Sequence, residues 1–224
     1  MKTASDVYRQ FRIMPSLQLH QLRVAAVAKM ICDNFNPPAG RAINTNDVLL
    51  AALFHDMGNI IKSDLTTFPD FVAPEGLEHW SAIRESFIER YGPDTHKANV
   101  VIARELGLPE PAVSLIDGIG FSRVSAIVSG NSFEQKIVEY SDMRVGPLGV
   151  LSLDERLLEG RARFIARGVS GKREHYVGDG FEKLFKAAHA LEKQIFELTN
   201  IAPGVITDSA AVPLIDELRK YPVA

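Results

Sequence analysis

Cysteine is almost missing from this chain. Cys32 is the single one among 224 residues, so no disulfide framework holds the fold. A lone cysteine also fits a reducing compartment. Long apolar runs are missing too. Val48–Phe54 falls far short of the ~20 residues that a bilayer span requires. Met1 to Gln10 has no apolar stretch behind basic residues, so no secretory leader is expected. The expectation is a soluble, cytoplasmic chain with no membrane partner. Excess charge is missing as well, with 25 Lys+Arg against 28 Asp+Glu and a net charge of −3. That balance argues against a nucleic-acid polymer as partner, because such binding draws on overall positive charge. What is present is 46% apolar residues, enough at this length to bury a core without covalent staples. One domain over residues 1–224 is expected, with a core over about 16–145 and C-terminal helices over about 152–220.

Strand patterning is also scarce. Val124–Val128 is the nearest candidate, and Ser125 interrupts it. Helical spacing dominates instead. Leu19, Leu22, Val24, Ala25, Val27, Ala28 and Ile31 form a stripe that predicts a helix from about Leu17 to Asn34. Asn36-Pro37-Pro38-Ala39-Gly40 ends it. Thr45, Asn46 or Asp47 can cap a second helix, Val48 to Met57, with Gly58 placed for a left-handed C-cap. That helix is apolar on nearly all sides and belongs at the centre. Further helices are predicted over Leu77–Tyr91, His96–Leu106, Pro109–Ile116, Ser152 to about Arg167, Asp179 to about Thr199 and Ala210–Lys220. Ser132 opens another with a capping-box pattern, running to about Asp142. Gly168–Gly180 reads as a loop. The class is all-α.

Several catalytic signatures are absent: HExxH, CxxC and GxSxG. Gly168–Arg173 fails as a phosphate loop, since Ala166 stands where its first glycine belongs and Arg173 replaces Ser/Thr. What remains is a set of polar residues in apolar helical surroundings: His20, His55, Asp56 and Asp142. A buried carboxylate is costly unless it is paired or bound to a metal. Two carboxylates and two imidazoles on three helices point to one shared cation. Neutral imidazole and carboxylate suit Mn, Fe, Co, Ni or Zn. Taken singly, each residue also has an ordinary structural explanation, such as a helix-end histidine or an ion pair of Asp142 with Arg144.

In this order and setting the residues resemble the H…HD…D signature of the HD-domain superfamily of metal-dependent phosphohydrolases. His20-Gln21-Leu22-Arg23-Val24-Ala25 is similar to that family's first metal helix. Ala51-Ala52-Leu53-Phe54-His55-Asp56-Met57-Gly58-Asn59 is similar to its central motif, and Tyr140-Ser141-Asp142-Met143-Arg144 to its last Asp helix. The resemblance covers roughly Ser16 to Arg163. It implies an HD-domain helical bundle with His20, His55, Asp56 and Asp142 as ligands of one divalent metal. It also implies hydrolysis of a phosphoester, often of a nucleotide, by water activated on that metal, with Asp56 also orienting the water.

Two-metal members of the superfamily carry extra histidines. His96 stands where the first belongs, but Ile116-Asp117-Gly118-Ile119-Gly120-Phe121 replaces a later His-His pair. A mononuclear site is therefore preferred, with Asp117 a weak substitute ligand. His96 is then a second-layer group, a phosphate donor or a remnant. Arg23, Lys62 and Arg144 are further candidates for the substrate phosphate. For each of the three, a solvated charge or a local ion pair is an equal alternative. Phe68, Phe71 and Trp80, in and beside the 63–79 insertion, can stack on a base or form a local plug, and the plug is favoured for Phe68. The expected partner is a small phosphorylated substrate. The C-terminal stripe from Phe181 to Phe196 either closes over the core or forms a homodimer. A catalytically silent HD fold that senses a nucleotide or docks a partner is the alternative function.

Overall fold

Residues 2–38, 42–166 and 177–223 are described in the computed structural model. They form eleven α-helices: α1 (Ala4–Gln10), α2 (Pro15–Asp33), α3 (Thr45–Phe54), α4 (Leu77–Tyr91), α5 (Thr95–Glu105), α6 (Glu110–Gly118), α7 (Val124–Ser129), α8 (Phe133–Asp142), α9 (Leu153–Ala166), α10 (Gly178–Phe196) and α11 (Asp208–Arg219). The described sheet is a minimal antiparallel pair, Lys2–Thr3 with Pro222–Val223, which ties the two ends of the chain together. The all-α expectation holds.

The central helix is α3. Asn44 caps it by accepting the Asp47 N–H at 3.3 Å, so the cap lies one residue before the expected three. Val48 to Phe54 are all buried, and the helix packs against α2, α6 and α8. Each fully buried Leu or Phe here stabilises the fold by roughly 1.5–3 kcal/mol. The helix ends at Phe54, not at Met57. The next residues turn instead of continuing, and the Tyr8 hydroxyl from α1 donates to the Leu53 carbonyl at 2.7 Å, satisfying one of the last acceptors. Gly58 has φ −91° and is not the expected left-handed cap. It is small for another reason: a Cβ there would lie 2.9 Å from Ala98 Cβ and 3.0 Å from Asn99 Oδ1 of α5. The α5 backbone therefore packs directly on the turn after α3.

The rest of the bundle places the site's neighbours. α2 starts at Pro15, a favoured first helical position, and buries the predicted stripe against α3 and α8. α8 begins at the predicted cap, where Ser132 Oγ accepts the Gln135 N–H at 3.1 Å. The candidate strand Val124–Val128 is helical, and its buried residues Val124 and Ile127 have a spacing of three. α10 lays Phe181, Leu184, Ala188, Leu191 and Ile195 over α7 and α8, so that face is used within the chain. Most of the loop expected over Gly168–Gly180 lies outside the described residues, and its last residues already belong to α10.

Candidate metal centre

Because α3 stops at Phe54, His55 and Asp56 fall in a tight turn. Neighbours on a continuous helix would diverge by ~100°. Here both side chains meet His20 from α2 and Asp142 from the end of α8. His20 Nε2 lies 3.2 Å from Asp142 Oδ1 and 3.6 Å from Asp56 Oδ2. His55 Nε2 lies 3.4 Å from the same Asp142 oxygen and 3.7 Å from the same Asp56 oxygen. Donor atoms sharing one ion at ~2.0–2.2 Å stand about 3 to 3.5 Å apart, so these separations suit a common cation. His20, His55 and Asp56 each offer an atom within 4.8 Å of the others.

The hydrogen bonds fix the orientation of each ligand candidate. His55 Nδ1 pairs with the Ala52 carbonyl at 2.9 Å, which turns Nε2 toward the carboxylates. His55 Nε2 is buried and has no hydrogen-bond partner. An orphaned imidazole nitrogen beside two carboxylates is what a cation ligand looks like without its ion. The turn itself is held from three sides. The Asp56 N–H donates to Gln21 Oε1 at 3.2 Å, the Gly58 N–H to Asn99 Oδ1 at 2.6 Å, and Asn59 Nδ2 to Asp56 Oδ2 at 2.8 Å.

The electrostatics of the cluster agree with this. Burial opposes the charged form of His55, yet the Asp56 and Asp142 carboxylates outweigh it and push the group up to about 9. Burial also works against the Asp142 carboxylate, but the adjacent imidazoles of His20 and His55 hold it well below the usual range.

A cavity of about 810 Å³ opens onto the cluster, a size that suits a small-molecule ligand. Lys62 and His96 line it, while Arg23 and Arg144 do not. Arg23 Nε instead meets Asp208 of α11 at 3.0 Å. Arg144 is buried and spends its guanidinium on the Leu151, Pro203 and Ile206 carbonyls and the Tyr140 hydroxyl. Both arginines thus tie down the C-terminal segment, which is the local-pairing alternative for them. His96 Nε2 pairs with Asp117 Oδ1 at 2.8 Å, and neither belongs to the metal-competent cluster. Phe68 and Phe71 stack at 4.8 Å and also line the cavity. Trp80 is buried in the core, with His79 edge-on to it at 4.9 Å. His189 pairs with Asp154, while His175 lies outside the described residues.

A buried acid in the cavity wall is not among the residues that the sequence singles out. Glu139 sits one turn before Asp142 on α8 and is 1% exposed, and its Oε2 accepts the Gly120 N–H at 2.8 Å. Burial pushes its carboxyl up to about 8 despite that hydrogen bond. The signal was available, since Glu139 interrupts the apolar run Ile137-Val138-Glu139-Tyr140.

A scan against protein families matches the HD domain over residues 18–133. That is just over half of the chain, so the chain belongs to the HD domain family, one of metal-dependent phosphohydrolases. The matched residues include His20, His55 and Asp56 and end before Asp142. Searches of curated proteins and of solved structures each found no match. No single helix among the described residues is long and apolar enough to cross a membrane.

Proposed function

We propose that this chain is a phosphohydrolase that cleaves a phosphoester of a small phosphorylated metabolite, a nucleotide in our reading, at a single divalent transition metal. The observation that carries the reading is the convergence of two imidazoles and two carboxylates, with the buried His55 Nε2 left without a hydrogen-bond partner. His20, His55, Asp56 and Asp142 would hold the metal. Bound there, a cation such as Mn, Fe, Co, Ni or Zn supplies a Lewis acid and lowers the pKa of a bound water.

The chain's own residues do the rest. Asp56, with Oδ2 fixed by Asn59 and its backbone by Gln21, accepts a hydrogen bond from the attacking water and orients it. Lys62 presents a point charge, and His96 a ring nitrogen, to the phosphate from the cavity wall. The half-buried Phe68–Phe71 pair offers a flat apolar face, which supports a substrate with a base. The Ala52 carbonyl keeps His55 in one tautomer, so its Nε2 stays a donor of electrons and not of a proton.

The test is phosphate release from a panel of nucleoside monophosphates after loading with Mn, Co, Ni or Zn. Wild type should turn over at least one member, and Asp56→Ala should lose at least ~100-fold. Nucleotide binding with no product under every metal would instead favour a silent sensing fold.

A further inference from the structure

The wall of the cavity formed by α9 carries chemistry that the metal centre does not use. Arg156, Glu159 and Arg163 recur at spacings of three and four, so they share one face of α9. Glu159 stands between the two guanidinium groups. Arg163 donates from Nη2 to Glu159 Oε2 at 3.0 Å, with its Nε 2.7 Å from Oε1, and Arg156 Nη1 is 3.5 Å from Oε2. Arg156 Nε also donates to the Val145 carbonyl at 2.7 Å, which fastens α9 to the segment just after Asp142. The side chains of Arg156 and Arg163 are only 22% and 27% exposed, and both line the same cavity as His20, His55, Asp56 and Asp142.

Gly160 explains how Arg156 reaches this position. It lies inside α9, where glycine weakens a helix, and it also lines the cavity. A Cβ at Gly160 would lie 2.7 Å from Arg156 Nη1. The missing side chain is the space that the guanidinium occupies. Two arginines oriented by one carboxylate, partly desolvated and set into a cavity wall, match how proteins bind phosphate and carboxylate groups.

We propose that Arg156 and Arg163 form an anion subsite on α9, which binds a second anionic group of the substrate, a phosphate or carboxylate separate from the scissile phosphoryl group. The substrate class is then a phosphoester with two anionic groups. The link to substrate rests on the phosphohydrolase reading, whereas the anion subsite itself does not.

The experiment therefore has two arms. In the first, inorganic phosphate is titrated calorimetrically into the full chain in excess chelator, which removes the metal from the question. Wild type should bind. Arg163→Gln should weaken binding about 10-fold or more, the size of a lost charge-assisted pair. Gly160→Ala should weaken it too by displacing Arg156, and as a better helix former it cannot act by unfolding α9. In the second arm, the Mn-loaded protein is given p-nitrophenyl phosphate and adenosine 3′,5′-bisphosphate. Arg163→Gln should raise KM for the bisphosphate with kcat kept, and leave KM for the single-anion probe unchanged. Phosphate binding that is absent, or equal in wild type and both variants, overturns the subsite. Variant-sensitive phosphate binding without turnover of any probe upholds the subsite and overturns the phosphohydrolase reading instead.

Discussion

Replacing Glu139 by glutamine should make the metal-free protein more stable at neutral and alkaline pH. The structure gives both sign and size. Burial raises the Glu139 carboxyl from its ordinary 4.5 to about 8. Between those values the folded chain keeps a proton that the unfolded chain has released. The stabilising contribution is fully present below pH 4.5 and is lost as pH rises to about 8. The slope is about 1.4 kcal/mol per pH unit, so from about pH 5.5 to 7.5 wild type loses about 3 kcal/mol that the Glu139→Gln variant would keep. The amide keeps an oxygen to accept the Gly120 N–H, so the substitution changes charge more than packing. The assay is urea unfolding of both proteins in chelator across that pH range. Titrating groups that do not interact with Glu139 cancel in the difference, leaving Glu139 and its coupling to Asp142, His55 and Arg123, and the difference should widen with pH. A bound cation stabilises the carboxylate, so adding metal should shrink the difference. Parallel pH profiles in chelator would refute the reasoning and mean that Glu139 is ionised in the fold.

Three further outcomes follow from other residues. Arg144→Met removes the donor from the Leu151, Pro203 and Ile206 carbonyls, the last of them buried, and should cost about 2 kcal/mol or more in urea unfolding, and a loss below about 1 kcal/mol would contradict its anchoring role. Gly58→Ala forces a Cβ against Ala98 and Asn99, so it should cost about 1–3 kcal/mol by thermal melting and also lower metal content, and a neutral result would show that the turn yields freely. With His55 pushed up to about 9 in the ion-free cluster, protons compete with metal up to that pH. Mn or Zn affinity should therefore rise from about pH 6 to 8, by at most about tenfold per unit, and a flat titration would argue against His55 as a ligand.

Much of this site is legible in the residues, because a buried carboxylate or imidazole interrupts an apolar stripe visibly. His20 stands beside the α2 stripe, and His55-Asp56 closes an apolar run. The periodicity was less informative at the end of α3. A helix carried to Met57 would aim His55 and Asp56 apart, whereas the observed stop at Phe54 lets both reach one point. Gly58 could be taken for a C-cap because its real constraint, the approach of Ala98 and Asn99, comes from 40 or more positions away. The partners of Arg23 and Arg144 are hidden from the sequence for the same reason. Nearness to a ligand in sequence does not reveal Asp208 or the carbonyls of Pro203 and Ile206, which claim these arginines from the C-terminal segment. Arg156 and Arg163 enter the cavity only because α9 folds back over it, which no local pattern announces.

The central claim is that His20, His55, Asp56 and Asp142 hold one metal ion. Elemental analysis of the full chain tests it most directly, for wild type and Asp142→Ala purified without chelator or affinity metal. About one divalent transition metal is expected per wild-type chain, with a large loss in Asp142→Ala while that variant stays folded by circular dichroism. Equal metal in both proteins would contradict the claim. So would a wild type that holds no metal and cannot be loaded with Mn, Co, Ni or Zn.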